Sequence, residues 1–133
     1  MGVETKAVYK GDERVAVTHG PTGSEVLTDL PLDNGGRGRG FSPTDLLAAS
    51  LASCILTIMA KAVAGDGVDL KGASVTVDKK MTPPPRRVES FTGTITLPPG
   101  LSEKTRAKLS ACVQACPVSR SLHPDVKLDL EVV

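Results

Sequence analysis

Three stretches of the chain alternate strictly between apolar and polar side chains. Val126, Leu128, Leu130 and Val132 are interleaved with Lys127, Asp129 and Glu131. Ala73, Val75 and Val77 alternate with Ser74, Thr76 and Asp78, and Phe91, Ile95 and Leu97 with Thr92, Thr94 and Thr96. A period of two predicts strands with one buried face and one wet face. Thr82-Pro83-Pro84-Pro85 makes a stiff connection between the second and third of these. Nearer the N-terminus, Val3 to Tyr9, Arg14 to His19 and Glu25 to Thr28 read as short strands, separated by turns at Gly11-Asp12 and Gly20-Pro21.

The pattern changes after the glycine-rich segment Asn34 to Gly40. Ser42 suits an N-cap, Pro43 the first helical position, and Asp45 the place where a capping box closes. A helix is expected from Pro43 to about Ala64, ending before Gly65 and Gly67. It is apolar nearly all round, with Ala48, Ala49, Ser50, Ala52 and Ser53 interspersed, which predicts burial on most sides. A sheet wrapping the helix and a partner subunit would cover it. A second helix opens at Ser102-Glu103 and should stop near Cys116, because Pro117 disfavours helical geometry in the residue before it. Pro117 to Leu122 suits a further short turn of helix.

The order is strands, long helix, two strands, helix, strand. It predicts an α+β fold built on antiparallel sheet, with residues 1–133 forming one domain. The 133 residues are 40% hydrophobic and 23% charged, enough to support a folded core. Aromatic residues make up only 2%, and there is no Trp. Val, Leu, Ile and Ala must therefore fill the core, and stacking on single-stranded nucleic acid lacks its usual side chains. A formal net charge of +1 gives no electrostatic footprint for nucleic acid or for a membrane surface. The longest apolar run, Leu46 to Ala60, is shorter than the roughly 20 residues that span a bilayer, so no membrane segment is expected. The N-terminal residues lack the apolar stretch of a secretory signal. With three cysteines and no disulfide framework, the expected compartment is the cytoplasm.

Those cysteines are the candidate chemistry. Cys54 lies inside the apolar helix, where a lone Cys is ordinarily a small core residue. To react, it needs a cation that stabilises its thiolate, and the helix dipole gives little help so far from the N-terminus. Cys116 stands where the chain turns before Pro117, so its thiol could reach across to another element. Cys112 shares a helical face with Cys116 and is a rival second thiol, with core packing as its simpler role. Cys112, Cys116 and His123 have tolerable zinc spacing but no second ligand pair, and His19 and His123 suit the surface. No metal and no cofactor are expected. The Gly35-Gly36-Arg37-Gly38-Arg39-Gly40 loop precedes a helix but lacks the lysine and hydroxyl residue of a phosphate loop. It reads as a flexible loop with solvated arginines that could bring Arg37 or Arg39 to a thiol.

Two segments together resemble the osmotically inducible protein C and organic hydroperoxide resistance family (OsmC/Ohr). Phe41-Ser-Pro-Thr-Asp-Leu-Leu-Ala-Ala-Ser-Leu-Ala-Ser-Cys54 is similar to the family's helix carrying the peroxidatic Cys. Cys116-Pro-Val-Ser-Arg-Ser-Leu122 is similar to its resolving-Cys motif. The order of elements also agrees, so the resemblance extends over essentially the whole chain. It implies an interwoven homodimer, with sheets around central helices and two sites at the interface.

It also implies that Cys54 attacks an organic hydroperoxide, that Cys116 closes a disulfide with it, and that a dithiol or other small thiol reduces that disulfide. Family peroxidases carry a Glu directly after the helix-start Pro, paired with an Arg from the N-terminal strands. Thr44 occupies that position here and Asp45 follows it. Asp45 is accordingly the candidate carboxylate and Arg14 the candidate strand Arg, with Arg37, Arg39 and Arg86-Arg87 as competitors. The segments Phe41 to Asp45 and Pro85-Arg86-Arg87 look closer to the family's less characterised branch. The same fold could instead serve as a redox sensor, a small-ligand-binding dimer or a metal-binding dimer.

Overall fold

The structure is a computed structural model describing all 133 residues. It divides into two compact units, Met1–Leu46 and Leu47–Val133.

The first unit is a three-stranded antiparallel sheet in the order β1-β2-β3. Its strands are β1 (Thr5–Gly11), β2 (Arg14–His19) and β3 (Glu25–Asp29). Asp12 and Glu13 turn the first hairpin with positive φ, a conformation in which Asp is tolerated better than most residues. After β3, a short 3-10 turn at Leu32–Asn34 leads into the glycine-rich segment. Gly36 has no room for a side chain, since a Cβ there would collide with the Leu30 carbonyl.

The capping box forms as the sequence predicts. Ser42 Oγ accepts the Asp45 N–H at 3.0 Å, and Asp45 Oδ2 accepts the Ser42 N–H at 2.9 Å. These contacts start α1 (Pro43–Val63).

The second unit packs α1 and α2 (Glu103–Ala115) on a sheet of order β4-β5-β6. The register sets Val75 beside Ile95 and Val132, and Val77 beside Gly93 and Leu130. This produces one apolar face, while Thr76, Thr94 and Glu131 lie on the other. Leu51, Ile55, Met59 and Val63, spaced four apart on α1, are buried in one core cluster with Phe91, Ile95 and Leu109. Each such side chain contributes roughly 1.5–3 kcal/mol when fully buried.

Two expectations require correction. The sheet is not wholly antiparallel: β4 (Ser74–Met81) pairs antiparallel with β5 (Val88–Thr96), but β6 (Lys127–Val132) runs parallel to β5. The chain leaves β5, crosses through α2 and α3 (Pro117–Ser121), and re-enters at the same end, the crossover that parallel pairing demands. On α1, Leu47, Ser50, Ser53, Thr57, Ala60 and Lys61 are exposed in the single chain, the face left for the expected partner subunit. Finally, α1 has 21 residues, with an 18-residue window of mean hydropathy 2.0, so it is long and apolar enough to cross a membrane. The apolar run alone is shorter because Pro43–Asp45 and Lys61–Val63 also join the helix. Here its buried stripe forms the core of the second unit.

Candidate active site

Cys54 is half-buried on α1, and Cys116 is fully buried at the junction of α2 and α3. All three cysteines are free thiols. Cys116 caps α3 at its N-terminus with extended backbone geometry, because Pro117 takes the first helical position. That bend turns the Cys116 side chain back over α3, where its Sγ accepts the Ser119 N–H at 3.3 Å. The Cys54 and Cys116 thiols lie near enough to shift each other's ionisation, which raises Cys54 and lowers Cys116. The Val118 backbone N–H favours ionisation of both sulfurs.

The two thiols are driven in opposite directions. Burial pushes the Cys54 thiol up, and the neighbouring Cys116 adds to this, outweighing the help of the Val118 N–H. Burial also opposes ionisation of Cys116, yet Ser119, Cys54 and Val118 together bring its pKa below the ordinary value. The Ser119 hydroxyl has a single proton and also donates to the Val113 carbonyl at 2.8 Å. Its backbone N–H is therefore the steadier donor to Cys116. No cation contributes to the shift of either sulfur. The cation-stabilised thiolate expected at Cys54 is thus not supplied by its neighbours on the second unit.

Cys112 does not join the pair. It is buried in the core, donates to the Lys108 carbonyl at 3.4 Å, and is pushed up by burial. No group of three His, Cys, Asp or Glu side chains converges as a metal site, so Cys112, Cys116 and His123 do not assemble one.

The candidate cations of the first unit have well-defined partners. In the glycine-rich loop Arg37 is exposed, as expected, but both arginines are paired and the Arg39 side chain is half-buried. Arg39 holds the buried Asp29 by two parallel hydrogen bonds, Nε to Oδ2 at 2.8 Å and Nη2 to Oδ1 at 3.0 Å. Its backbone N–H also reaches Oδ2 at 2.8 Å, and the Leu30 N–H reaches Oδ1 at 3.0 Å. Arg37 and Arg39 both bind Asp12. The Arg39 guanidinium depresses both carboxyls, holding Asp29 far below the usual carboxylate range. The alternating Gly-Arg pattern signals backbone freedom. It contains nothing that identifies Asp12 and Asp29 as partners.

Arg14 is different. It is half-buried on β2, and its one side-chain hydrogen bond runs from Nε to the Thr28 carbonyl at 3.5 Å. It forms no ion pair, although Asp29 is its cross-strand neighbour. Asp45 serves the capping box through Oδ2. Arg86 and Arg87 are exposed in the segment before β5, where Arg87 Nη1 donates to the Val88 carbonyl at 2.9 Å.

The sequence profile of the family described as OsmC-like protein matches residues 35–131. Among solved structures, a Psychrobacter arcticus protein named for the osmotic stress and detoxification response is 39% identical, with a TM-score of 0.93 over 100% of this chain and 98% of that one. The organic hydroperoxide resistance protein OsmC of Legionella pneumophila has a TM-score of 0.76 at 22% identity, over 99% of this chain and 96% of that one. The organic hydroperoxide resistance protein OhrB of Bacillus subtilis has a TM-score of 0.72 at 16% identity, over 100% and 98%. At such identities the last two speak for the fold alone. No curated protein matches the chain.

Proposed function

The chain belongs to the OsmC-like family, and on that premise we propose that it is a thiol-dependent peroxidase that reduces organic hydroperoxides to alcohols. The observation that carries this reading is the contact between the Cys54 and Cys116 thiols, on elements far apart in sequence. The names of the Legionella and Bacillus proteins, both organic hydroperoxide resistance proteins, support the substrate class.

In this reading the Cys54 thiolate attacks the terminal oxygen of the hydroperoxide. The O–O bond breaks, and the alkoxide leaves with a proton as the alcohol. Cys54 becomes a sulfenic acid, two electrons more oxidised. The Cys116 thiolate then displaces the hydroxyl as water and closes the disulfide. A dithiol or small thiol returns both electrons by exchange, through a mixed disulfide.

Ile58, one turn after Cys54 on α1, and Val118, next but one after Cys116, are apolar side chains packed on the core, which suits an organic group better than hydrogen peroxide. Arg14 is the cation that would stabilise the Cys54 thiolate. The exposed apolar positions of α1 suit a second copy of the chain, giving a homodimer that acts in the cytoplasm, with residues 1–133 working as one domain.

The assay is consumption of cumene hydroperoxide with dihydrolipoamide as reductant. Steady turnover by the parent protein that is lost in Cys54→Ser supports the reading. Turnover unchanged in Cys54→Ser, or no turnover with any dithiol, would refute it. One observation favours a slower role as a redox sensor: the Cys54 thiol is raised rather than lowered by the residues around it. Stoichiometric oxidation of Cys54 without turnover would mark that role.

A further inference from the structure

This inference rests on the proposed peroxidase and concerns how its second thiol is aimed. We propose that Ser119 is a positioning residue for Cys116: its hydroxyl replaces the helical donor that Pro117 lacks, and so holds its own backbone N–H on the sulfur that closes the disulfide.

In an α-helix each carbonyl accepts the N–H four residues further on. For Val113, in the last turn of α2, that residue is Pro117, which has no N–H. The Val113 carbonyl thus loses its regular donor in a partly buried place, where an unmade hydrogen bond is costly. The Ser119 hydroxyl supplies the bond at 2.8 Å, from two residues beyond the proline. The same oxygen lies 3.3 Å from the Cys116 carbonyl, the longer of its two contacts.

The Ser119–Val113 bond ties the first turn of α3 to the last turn of α2. With α3 pinned, the Ser119 N–H meets the Cys116 sulfur at 3.3 Å. The Arg120 N–H meets the Cys116 carbonyl at 3.1 Å. Cys116 is therefore gripped at both its sulfur and its carbonyl, while its own backbone is extended between the two helices. Cys112, one turn earlier, simply bonds back to the Lys108 carbonyl of its own helix, as a packing residue would.

The grip matters for the resolving step. There the Cys116 thiolate attacks the Cys54 sulfenic acid left by the organic hydroperoxide. The S–S bond forms, the S–O bond breaks, and the hydroxide leaves with a proton as water. The attacking sulfur must lie in line with the breaking bond, so a sulfur of fixed direction closes faster than one free to turn.

The test follows the two half-reactions separately in the parent, Ser119→Ala and Ser119→Thr, with one equivalent of cumene hydroperoxide. Sulfenic acid is trapped with dimedone and the disulfide is read by peptide mass. Ser119→Ala is expected to form sulfenic acid at Cys54 as the parent does, but to close the disulfide at least about tenfold more slowly. Sulfenic acid should then accumulate, and excess peroxide should carry it on to sulfinic acid. Ser119→Thr keeps the hydroxyl and is expected to restore closure. A Ser119 that only stabilises the fold predicts a lowered urea midpoint in Ser119→Ala with closure unchanged. That result would overturn the proposal, as would a Thr variant no faster than Ala.

A second readout needs neither a variant nor turnover: the backbone amide resonance of Ser119 in the reduced parent. It is expected to move as the Cys116 thiol ionises. An amide that stays in place overturns the proposal, even where Ser119→Ala does not fold. If the parent forms no sulfenic acid at Cys54, the peroxidase reading fails instead, and the amide still tests the placement of Ser119.

Discussion

The thiol of Cys54, on the long helix α1, lies near enough to the sulfur of Cys116 at the start of α3 that each shifts the other's ionisation. Sixty-two positions of chain separate the two residues. The contact forms because Leu51, Ile55 and Met59 seat α1 in the same core that buries Leu109, Val113 and Cys116. The Pro117 bend then turns the Cys116 sulfur towards Val118 and Ser119.

Cys116 should ionise before Cys54 in the chain as described. A 13Cβ-cysteine NMR titration should give a midpoint below the ordinary thiol value for Cys116 and above it for Cys54. If Cys54 titrates first instead, a cation from outside its immediate neighbours governs it, and Arg14→Met should reverse the order.

The same asymmetry predicts how the disulfide is reduced. The better-stabilised thiolate is the better leaving group, and the more exposed sulfur is the easier target. A thiol reductant should therefore attack Cys54 and expel Cys116. Trapping with excess small thiol is expected to give the mixed disulfide on the Cys54 peptide, and finding it on the Cys116 peptide would reverse this assignment.

Gly93 has no room for a side chain. Paired with Val77, it has no Cβ, and one placed there would collide with the Thr76 carbonyl. Gly93→Ala must push β4 and β5 apart, at a cost of about 1–3 kcal/mol for overpacking. Urea denaturation should show this as a lowered midpoint with an unchanged slope.

Asp29 gives the first unit an acid-sensitive anchor. Its carboxyl is depressed in the folded state, chiefly by the Arg39 side chain. A depressed carboxyl contributes stability in full above its unfolded pKa of about 3.9, and loses that contribution as the pH falls towards the folded value. The parent should therefore lose stability as pH falls below about 4 more steeply than Asp29→Asn does. Denaturation midpoints for the two proteins between neutral and strongly acidic pH would check this; parallel curves would contradict it.

Much of the fold was legible because its signals are local. The alternation in Val126–Val132, the Ser42–Asp45 box and the Ser102 cap each depend on neighbours a few residues away, and all formed where the sequence placed them. The parallel pairing of β5 with β6 was not legible, since alternation marks a half-buried strand without fixing its direction. The roles of Arg37 and Arg39 were missed for a similar reason. Glycines around them suggested mobility, while the partners that pin them, Asp12 and Asp29, lie on other elements.

The Cys54–Cys116 pairing was reached only through the resemblance of two motifs. Spacing alone left Cys112 as a rival second thiol with core packing as its simpler role, and the core is where it lies. The expected low pKa at Cys54 was not found within its own unit. Its position mid-helix among apolar side chains made desolvation the dominant effect.

Peptide mass mapping after one equivalent of cumene hydroperoxide, with free thiols blocked before digestion, tests the central claim most directly. The account predicts rapid formation of a Cys54–Cys116 linked peptide, with Cys112 still alkylated. Three alkylated cysteines after excess hydroperoxide would contradict it.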